Sequence, residues 1–325
     1  MESLLNQTYR DWELIVCDSY SEDGTWEYLS EFSSDPRTRL FQVPREGLYA
    51  GWNECLKRAR GEFIYFATAD DTMHPECLER LVQPLIQHED VDLALTRVAD
   101  IDESGEVLPV REPLIWRFLN KHAQGESAQR ISGDAFFLLL AGFPWGFGSV
   151  TGLLFRRSLL EKTGLFPTHL SFLGDALWSL RACLSSDVIL VPGCWATWRL
   201  HPEQASSRFD LRHSLIFYEA LKEVVDSEQH RLPQHWLRVS RWKARLLKSR
   251  EVEAVFATGL CRFEFSQNWR RFPERLIKLW RLDRRLCLGR VFSGFASPVS
   301  RQFSHTDLVE SLLEVFKASW PGKAI

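Results

Sequence analysis

Phe63-Ile64-Tyr65-Phe66-Ala67-Thr68-Ala69-Asp70-Asp71 is the stretch on which the fold turns. Residues of β-type character run straight into two adjacent carboxylates, and His74-Pro75 then open a helix-like segment. A strand that ends in paired acids carries them to the carboxyl edge of a sheet, where open α/β sheets bind ligands. Two neighbouring carboxylates repel each other unless something positive stands beside them. A hard divalent cation shared with a diphosphate meets that need through oxygen ligands. The competing reading is structural: Asp70 or Asp71 caps the helix that follows Pro75.

Working outward, the chain alternates strand and helix signals. Glu13–Asp18 reads as a buried strand, Thr25 caps a helix carrying Trp26, Leu29 and Phe32, and Thr38–Val43 is a second strand. Leu48–Arg60 is a helix closed by Gly61, Glu62–Thr68 the third strand, Pro75–Gln87 a helix and Val91–Arg97 a fourth strand. Asp102-Glu103-Ser104-Gly105 reads as a hairpin turn. Loops are expected over Pro109–Gln129, then a helix over Asp134–Gly142 and a strand over Ser149–Phe155. A short helix over Ser158–Thr163, a longer one over Asp175–Leu184, and strands Val188–Val191 and Cys194–Leu200 complete the pattern. Such alternation predicts a doubly wound α/β sheet. After Ser207 the sequence turns helical and rich in Arg, Trp and Leu, so the expected division is 1–207 and 208–325.

Several pieces recur in a fixed order: Ser3-Leu4-Leu5-Asn6-Gln7-Thr8-Tyr9, Trp12 to Asp18, Ser21-Glu22-Asp23-Gly24-Thr25, Gly47 to Asn53, Ala59 to Phe63, and Ala69-Asp70-Asp71. Together they resemble the inverting family-2 glycosyltransferases with the GT-A fold, over roughly residues 1–207. The resemblance implies a Rossmann-like mixed sheet, a nucleotide-diphosphate sugar donor and Mn²⁺ or Mg²⁺. It also implies a first strand and helix ahead of the Ser-Leu-Leu-Asn-Gln-Thr-Tyr segment, which this sequence, starting at Met1, does not include.

The resemblance implies roles residue by residue. The family's Asp-Ala-Asp-Asp appears here as Thr68-Ala69-Asp70-Asp71, so Asp70 matches the metal-facing acid, Asp71 supports it, and Thr68 takes a ribose-side position without charge. Asp18 matches an acid of the nucleobase-reading loop, and Ser19 replaces the second acid there. Asn53 matches an asparagine of the nucleotide-side helix, beside Trp52 where arginine is common. Asp175, in Gly174-Asp175-Ala176-Leu177-Trp178-Ser179-Leu180-Arg181, matches the general base, and an N-cap role is its structural alternative. In Trp198-Arg199-Leu200-His201, His201 is implied at the metal or diphosphate and Arg199 at phosphate oxygens. Trp145 and Phe147 read either as a sugar-stacking platform or as core aromatics.

Composition bounds these readings. The 325 residues are 45% hydrophobic and 26% charged, an ordinary globular balance. The longest apolar run, Ala135 to Phe143, is too short for a membrane span, and the first residues lack a signal peptide's basic start and apolar core. Seven scattered cysteines without a Cys-x-x-Cys pair speak for reduced thiols in a cytoplasmic protein and against a zinc site. The net charge of −3 divides into −12 over residues 1–210 and +9 over residues 211–325. Arg238 to Arg290, with Trp242, Trp269 and Trp280, suits peripheral contact with an anionic inner membrane face. No motif points to nucleic acid. The expected activity is metal-assisted, inverting transfer from a nucleotide sugar, UDP-linked by preference, to a glycan or lipid-linked acceptor of the cell envelope. The alternative is a non-catalytic nucleotide-sugar binder or partner protein on the same scaffold, favoured by Thr68, Ser19 and the absent first strand.

Overall fold

The computed structural model describes residues 1–109, 127–142, 149–170, 173–202, 204, 216, 220, 223–224, 227 and 323–324. The chain divides into two compact units, Met1–Arg208 with Trp320–Ile325, and Phe209–Ser319. Nearly all described residues lie in the first. Most of the helical, basic region expected after Ser207, the Trp145–Phe147 pair and most of the 109–129 loops lie outside the described residues; of that region 216, 220, 223–224 and 227 are helical, and Lys323–Ala324 form a strand.

In chain order the elements are α1 (Glu2–Leu5), β1 (Leu14–Asp18), α2 (Thr25–Ser30), β2 (Thr38–Gln42), α3 (Leu48–Arg58), β3 (Phe63–Tyr65), α4 (Cys77–Gln87), β4 (Leu93–Ile101), β5 (Gln129–Ile131), α5 (Gly133–Gly142), β6 (Leu153–Arg156), α6 (Leu160–Thr163), α7 (Gly174–Cys183), β7 (Val188–Arg199) and β8 (Lys323–Ala324). β1 and β2 form a parallel pair in the register Leu14↔Thr38 to Asp18↔Gln42. The main sheet has the order β3-β6-β4-β7-β5-β8. Only β4 and β7 run parallel in it; the other neighbours are antiparallel. The result is a mixed α/β sheet.

Side chains alternate across this sheet, as a strand requires. Leu154 of β6 joins the cluster in which Cys77, Leu78, Leu81, Val82 and Leu85 of α4 pack on Ala94, Ile189 and Val191. The next residue, Phe155, meets Trp178 of α7 at 4.7 Å between ring centroids. Trp178, Phe136, Phe137 and Phe155 are fully buried.

The sequence reading is modified in several places for physical reasons. β3 is shorter than Glu62–Thr68: β6 pairs with it only over Phe63–Tyr65, and Phe66 then stacks on Trp52 at 4.5 Å. The two strands expected around Pro192-Gly193 are one, β7, interrupted by register shifts opposite Thr96–Val98. Proline has no N–H for a ladder, and Gly193 takes φ +96, so these residues sit in a bulge rather than ending the strand. β1 is half-buried rather than buried, because β2 is its one hydrogen-bonded strand among the described residues. Among those residues no helix is long and apolar enough to cross a membrane.

Candidate active site

Thr68, Asp70, Asp71, Arg199 and His201 meet where the segment after β3 runs alongside the end of β7. The two segments are laced together by backbone bonds. Thr197 N–H donates to Thr72 O at 2.8 Å, His74 N–H donates to Trp195 O at 2.8 Å, and Met73 bridges Ala196. Thr197 Oγ1 accepts from Thr72 N–H at 2.9 Å.

This lacing sorts the two acids. Asp71 turns inward, where its carboxylate accepts the Thr68 hydroxyl and the Arg199 backbone N–H, the latter at 2.7 Å. Burial raises its pKa, and the bonds from Thr68 and Arg199 oppose that rise. Asp70 turns outward, with 41% of its side chain exposed, and its Oδ2 stands 3.2 Å from His201 Nε2. The helix-capping alternative is closed for both acids: the N-cap of α4 is Glu76, with no side-chain bond.

Arg199 is held by backbone carbonyls. Its Nε donates to Asp70 O at 2.8 Å, and its Nη1 donates to Asp102 O at 2.7 Å and Glu103 O at 3.0 Å. The guanidinium therefore staples the acidic loop to the Asp102–Gly105 turn. That turn is itself built on Asp102 Oδ1, which accepts Ser104 N–H at 2.9 Å and Glu106 N–H at 3.0 Å, with Gly105 at φ +92.

The described residues contain no group of three or more His, Cys, Asp or Glu side chains placed to hold a metal. The Asp70–His201 pair fits a cation that takes its remaining ligands from elsewhere. Adjacent ligands of an octahedral ion bound at about 2.1 Å stand about 3 Å apart. A Mg²⁺-type ion characteristically takes one or two protein ligands and completes its shell with phosphate oxygens and water.

Asp175 lies in the first turn of α7 and not at its N-cap, which is Leu173. Its Oδ1 accepts the Tyr49 phenol and the Ala176 N–H, both at 2.8 Å. Burial raises its pKa and these bonds oppose the rise. Asn53, expected at the donor, is buried and makes a two-way bond with the Phe166 backbone: Nδ2 donates to O at 2.9 Å and Oδ1 accepts N–H at 3.0 Å. It fixes α3 to the segment before α7, because a buried amide pair of this kind leaves Phe166 fully satisfied. Trp52 packs among Tyr49, Phe66 and Phe166. Asp18 is buried at the end of β1, where Oδ2 accepts Ser21 N–H at 3.0 Å in a turn.

Tyr49 is the residue that sequence reasoning missed. The available signal was a tyrosine in the first turn of a half-apolar helix, since a buried phenol needs a polar partner.

With this geometry in place, the model for glycosyl transferase family 2 is found to match residues 1–163. The chain belongs to that family. The putative glycosyltransferase EpsE of Bacillus subtilis (strain 168) is 36% identical over 121 residues, covering 35% of this family-2 chain and 44% of EpsE. An Escherichia coli enzyme, UDP-Glc:alpha-D-GlcNAc-diphosphoundecaprenol beta-1,3-glucosyltransferase WfgD, is 35% identical over 88 residues, 27% of this chain and 35% of WfgD. The chain spans about half the length of the curated relatives it matches. S. aureus TarS 1–349 in complex with UDP-GlcNAc has the same fold at 19% identity, with a TM-score of 0.54 over 69% of this chain and 61% of TarS. The architecture is GT-A.

The Asp175 environment has a consequence for stability. A carboxyl with a raised folded-state pKa binds its proton more tightly in the native than in the unfolded chain, so it loses stability as pH rises from the ordinary carboxylate range through that raised value. Asp175→Asn removes this titration and keeps an acceptor for Tyr49. Its melting temperature relative to the natural protein should climb with pH across that window and then level off. A difference that is flat with pH would mean that Asp175 has no raised pKa.

Proposed function

We propose that the protein is an inverting, metal-assisted glycosyltransferase that moves a sugar from a UDP-sugar to a glycan or lipid-linked acceptor. The observation that carries this reading is the outward-facing Asp70 carboxylate 3.2 Å from His201 Nε2, backed by an inward Asp71. Asp70 and His201 would hold a Mn²⁺ or Mg²⁺ ion. Such an ion supplies neutralising charge to the leaving diphosphate. Arg199 and Asp71 keep that pair at the end of β3, and Thr68 orients Asp71. Asp18 is kept as a nucleobase-side contact. WfgD's name carries a UDP-sugar and a diphosphoundecaprenol acceptor, and TarS was crystallised with UDP-GlcNAc; both support the choice of donor and acceptor class.

Asp175 takes the proton of the acceptor hydroxyl as the sugar bond breaks. Burial suits it to that work, since a carboxyl with a raised pKa is a stronger base than one in water. Direct attack by the hydroxyl on the anomeric carbon, opposite the departing diphosphate, inverts the configuration. Residues 238–290 add contact with an anionic membrane that would hold a lipid-linked acceptor close.

Three experiments test the reading. Asp70→Asn should abolish the Mn²⁺-dependent thermal stabilisation by UDP, because the ion loses a charged oxygen ligand; unchanged stabilisation removes Asp70 from the site. Asp175→Asn should preserve that stabilisation while turnover falls by about 10²-fold or more, with an inverted anomer in the natural enzyme's product. Turnover within a few-fold of the natural protein sinks the base assignment, and a retained anomer seen by NMR sinks the single displacement. Metal-dependent UDP binding without any transfer would mark a binding protein. The third is flotation: the full chain should bind anionic liposomes at low salt and release at high salt, and equal failure on anionic and neutral liposomes excludes the membrane contact.

A further inference from the structure

We infer that Tyr49 is a positioning residue for the transfer reaction: its phenol holds the Asp175 carboxylate in one orientation and tunes its readiness to accept the proton. The inference rests on the reading of Asp175 as the base.

The phenol is placed by packing from several sides. Tyr49 is 2% exposed, in the first turn of α3. Its ring is stacked with Phe166 at 6.0 Å and meets Trp52 edge-on at 5.2 Å. Its other side lies against Gly174. A Cβ on that residue would come within 2.6 Å of Tyr49 Cδ2 and 2.5 Å of Pro167 O, so only glycine allows this approach. The Asn53–Phe166 bonds hold α3 itself in register with the same segment. Tyr49 Oη consequently has a fixed position, 2.8 Å from Asp175 Oδ1.

The chemistry of the pair is one-directional. Burial, and then the Asp175 charge, push the Tyr49 phenol far above its ordinary pKa. It stays protonated and can only donate to an ionised Asp175. A bond to the charged form opposes the effect of burial on the carboxyl. Among the described residues, the remaining groups acting on that carboxyl are the backbone N–H groups of Asp175 and Ala176 at the start of α7; no Lys, Arg or His acts on it. Tyr49 is thus the one side chain among them that adjusts the base. Were the ring needed for packing alone, phenylalanine would fill the same space.

The experiment reads the carboxyl directly. With ¹³C-carboxyl-labelled aspartate, the Asp175 signal is identified by its absence in Asp175→Asn and titrated in the natural protein and in Tyr49→Phe. Loss of a bond to the charged form should move the midpoint up by about one pH unit or more. Replacing Tyr49 site-specifically by 3,5-difluorotyrosine, a stronger donor, should move it down. It also serves as the readout if the phenylalanine variant folds poorly. An unmoved midpoint in both variants overturns the inference. In parallel, the acid limb of kcat/KM for UDP release from UDP-GlcNAc should move with the NMR midpoint. A packing defect would lower the rate at every pH and leave the limb in place, which also overturns the inference. If the midpoint moves and Asp175→Asn turns over normally, the hydrogen bond is real but the base assignment has failed, and Tyr49 has no part in the reaction.

Discussion

The repulsion between two carboxylates on consecutive residues is the constraint from which the rest of the site follows. At the end of a strand, Asp70 and Asp71 cannot both be buried and ionised without partners. The fold separates them. Asp71 is drawn inward by a hydroxyl and a backbone N–H, while Asp70 is left in water beside an imidazole. Arg199 makes the separation rigid, because its N–H serves Asp71 while its guanidinium grips the Asp70 carbonyl and the next turn. Hydrogen bonds to charged groups contribute about 1.5–3 kcal/mol each, and less where they are open to solvent, as at Arg199 Nε. Those made by Arg199 and Asp71 are directed at backbone as much as at side chain, so they fix where Asp70 starts as well as how Asp71 ends. The Arg199 guanidinium works in this structure as a staple.

A second centre is organised on the opposite principle. Asp175 is half-buried beside the Tyr49 phenol rather than beside a cation, and desolvation raises its proton affinity. That arrangement costs stability at neutral pH, and the cost is limited by the Tyr49 phenol and a helix N-terminus. Outward acid with imidazole in one place, half-buried acid with phenol in the other, gives two carboxylates with divergent environments. Divergent environments of that sort are how one scaffold can give two carboxylates different work.

Much of this was legible in the sequence, and the failures have specific causes. The strand-to-acid transition at Tyr65–Asp71, the helix at Leu48–Arg58 and the apolar stripe of α4 could be read from local periodicity, because burial on one face imposes it. The gathering of His201 with Asp70 could be read only from resemblance, since 131 residues separate them and no local pattern spans that distance. Asn53 and Arg199 were matched to donor positions by resemblance, and what holds them in this structure could not be read the same way. Their structural partners are backbone carbonyls and N–H groups, which every residue carries and no sequence motif distinguishes. Tyr49 was missed for a related reason: its role depends on a glycine and a carboxylate 125 and 126 positions away.

The bulge in β7 shows how a local irregularity reaches the chemistry. From Thr96 to Val98 β4 advances two residues, while its partner advances five, from Val191 to Ala196. The excess is three, an odd number. In a strand of period two, an odd insertion exchanges the faces and edges presented by everything that follows. It is beyond this point that Thr197 and Arg199 direct their N–H groups towards Thr72 O and the Asp71 carboxylate, instead of into the ladder with β4. An uninterrupted β7 would offer the neighbouring residues there. Pro192 and Gly193, which look in the sequence like a break between strands, therefore set the register that brings Arg199 to the acids. Tolerance to substitution at Gly193 is correspondingly low, because its φ of +96 is unfavourable for any side chain and an added Cβ would meet the Trp195 ring at 2.8 Å.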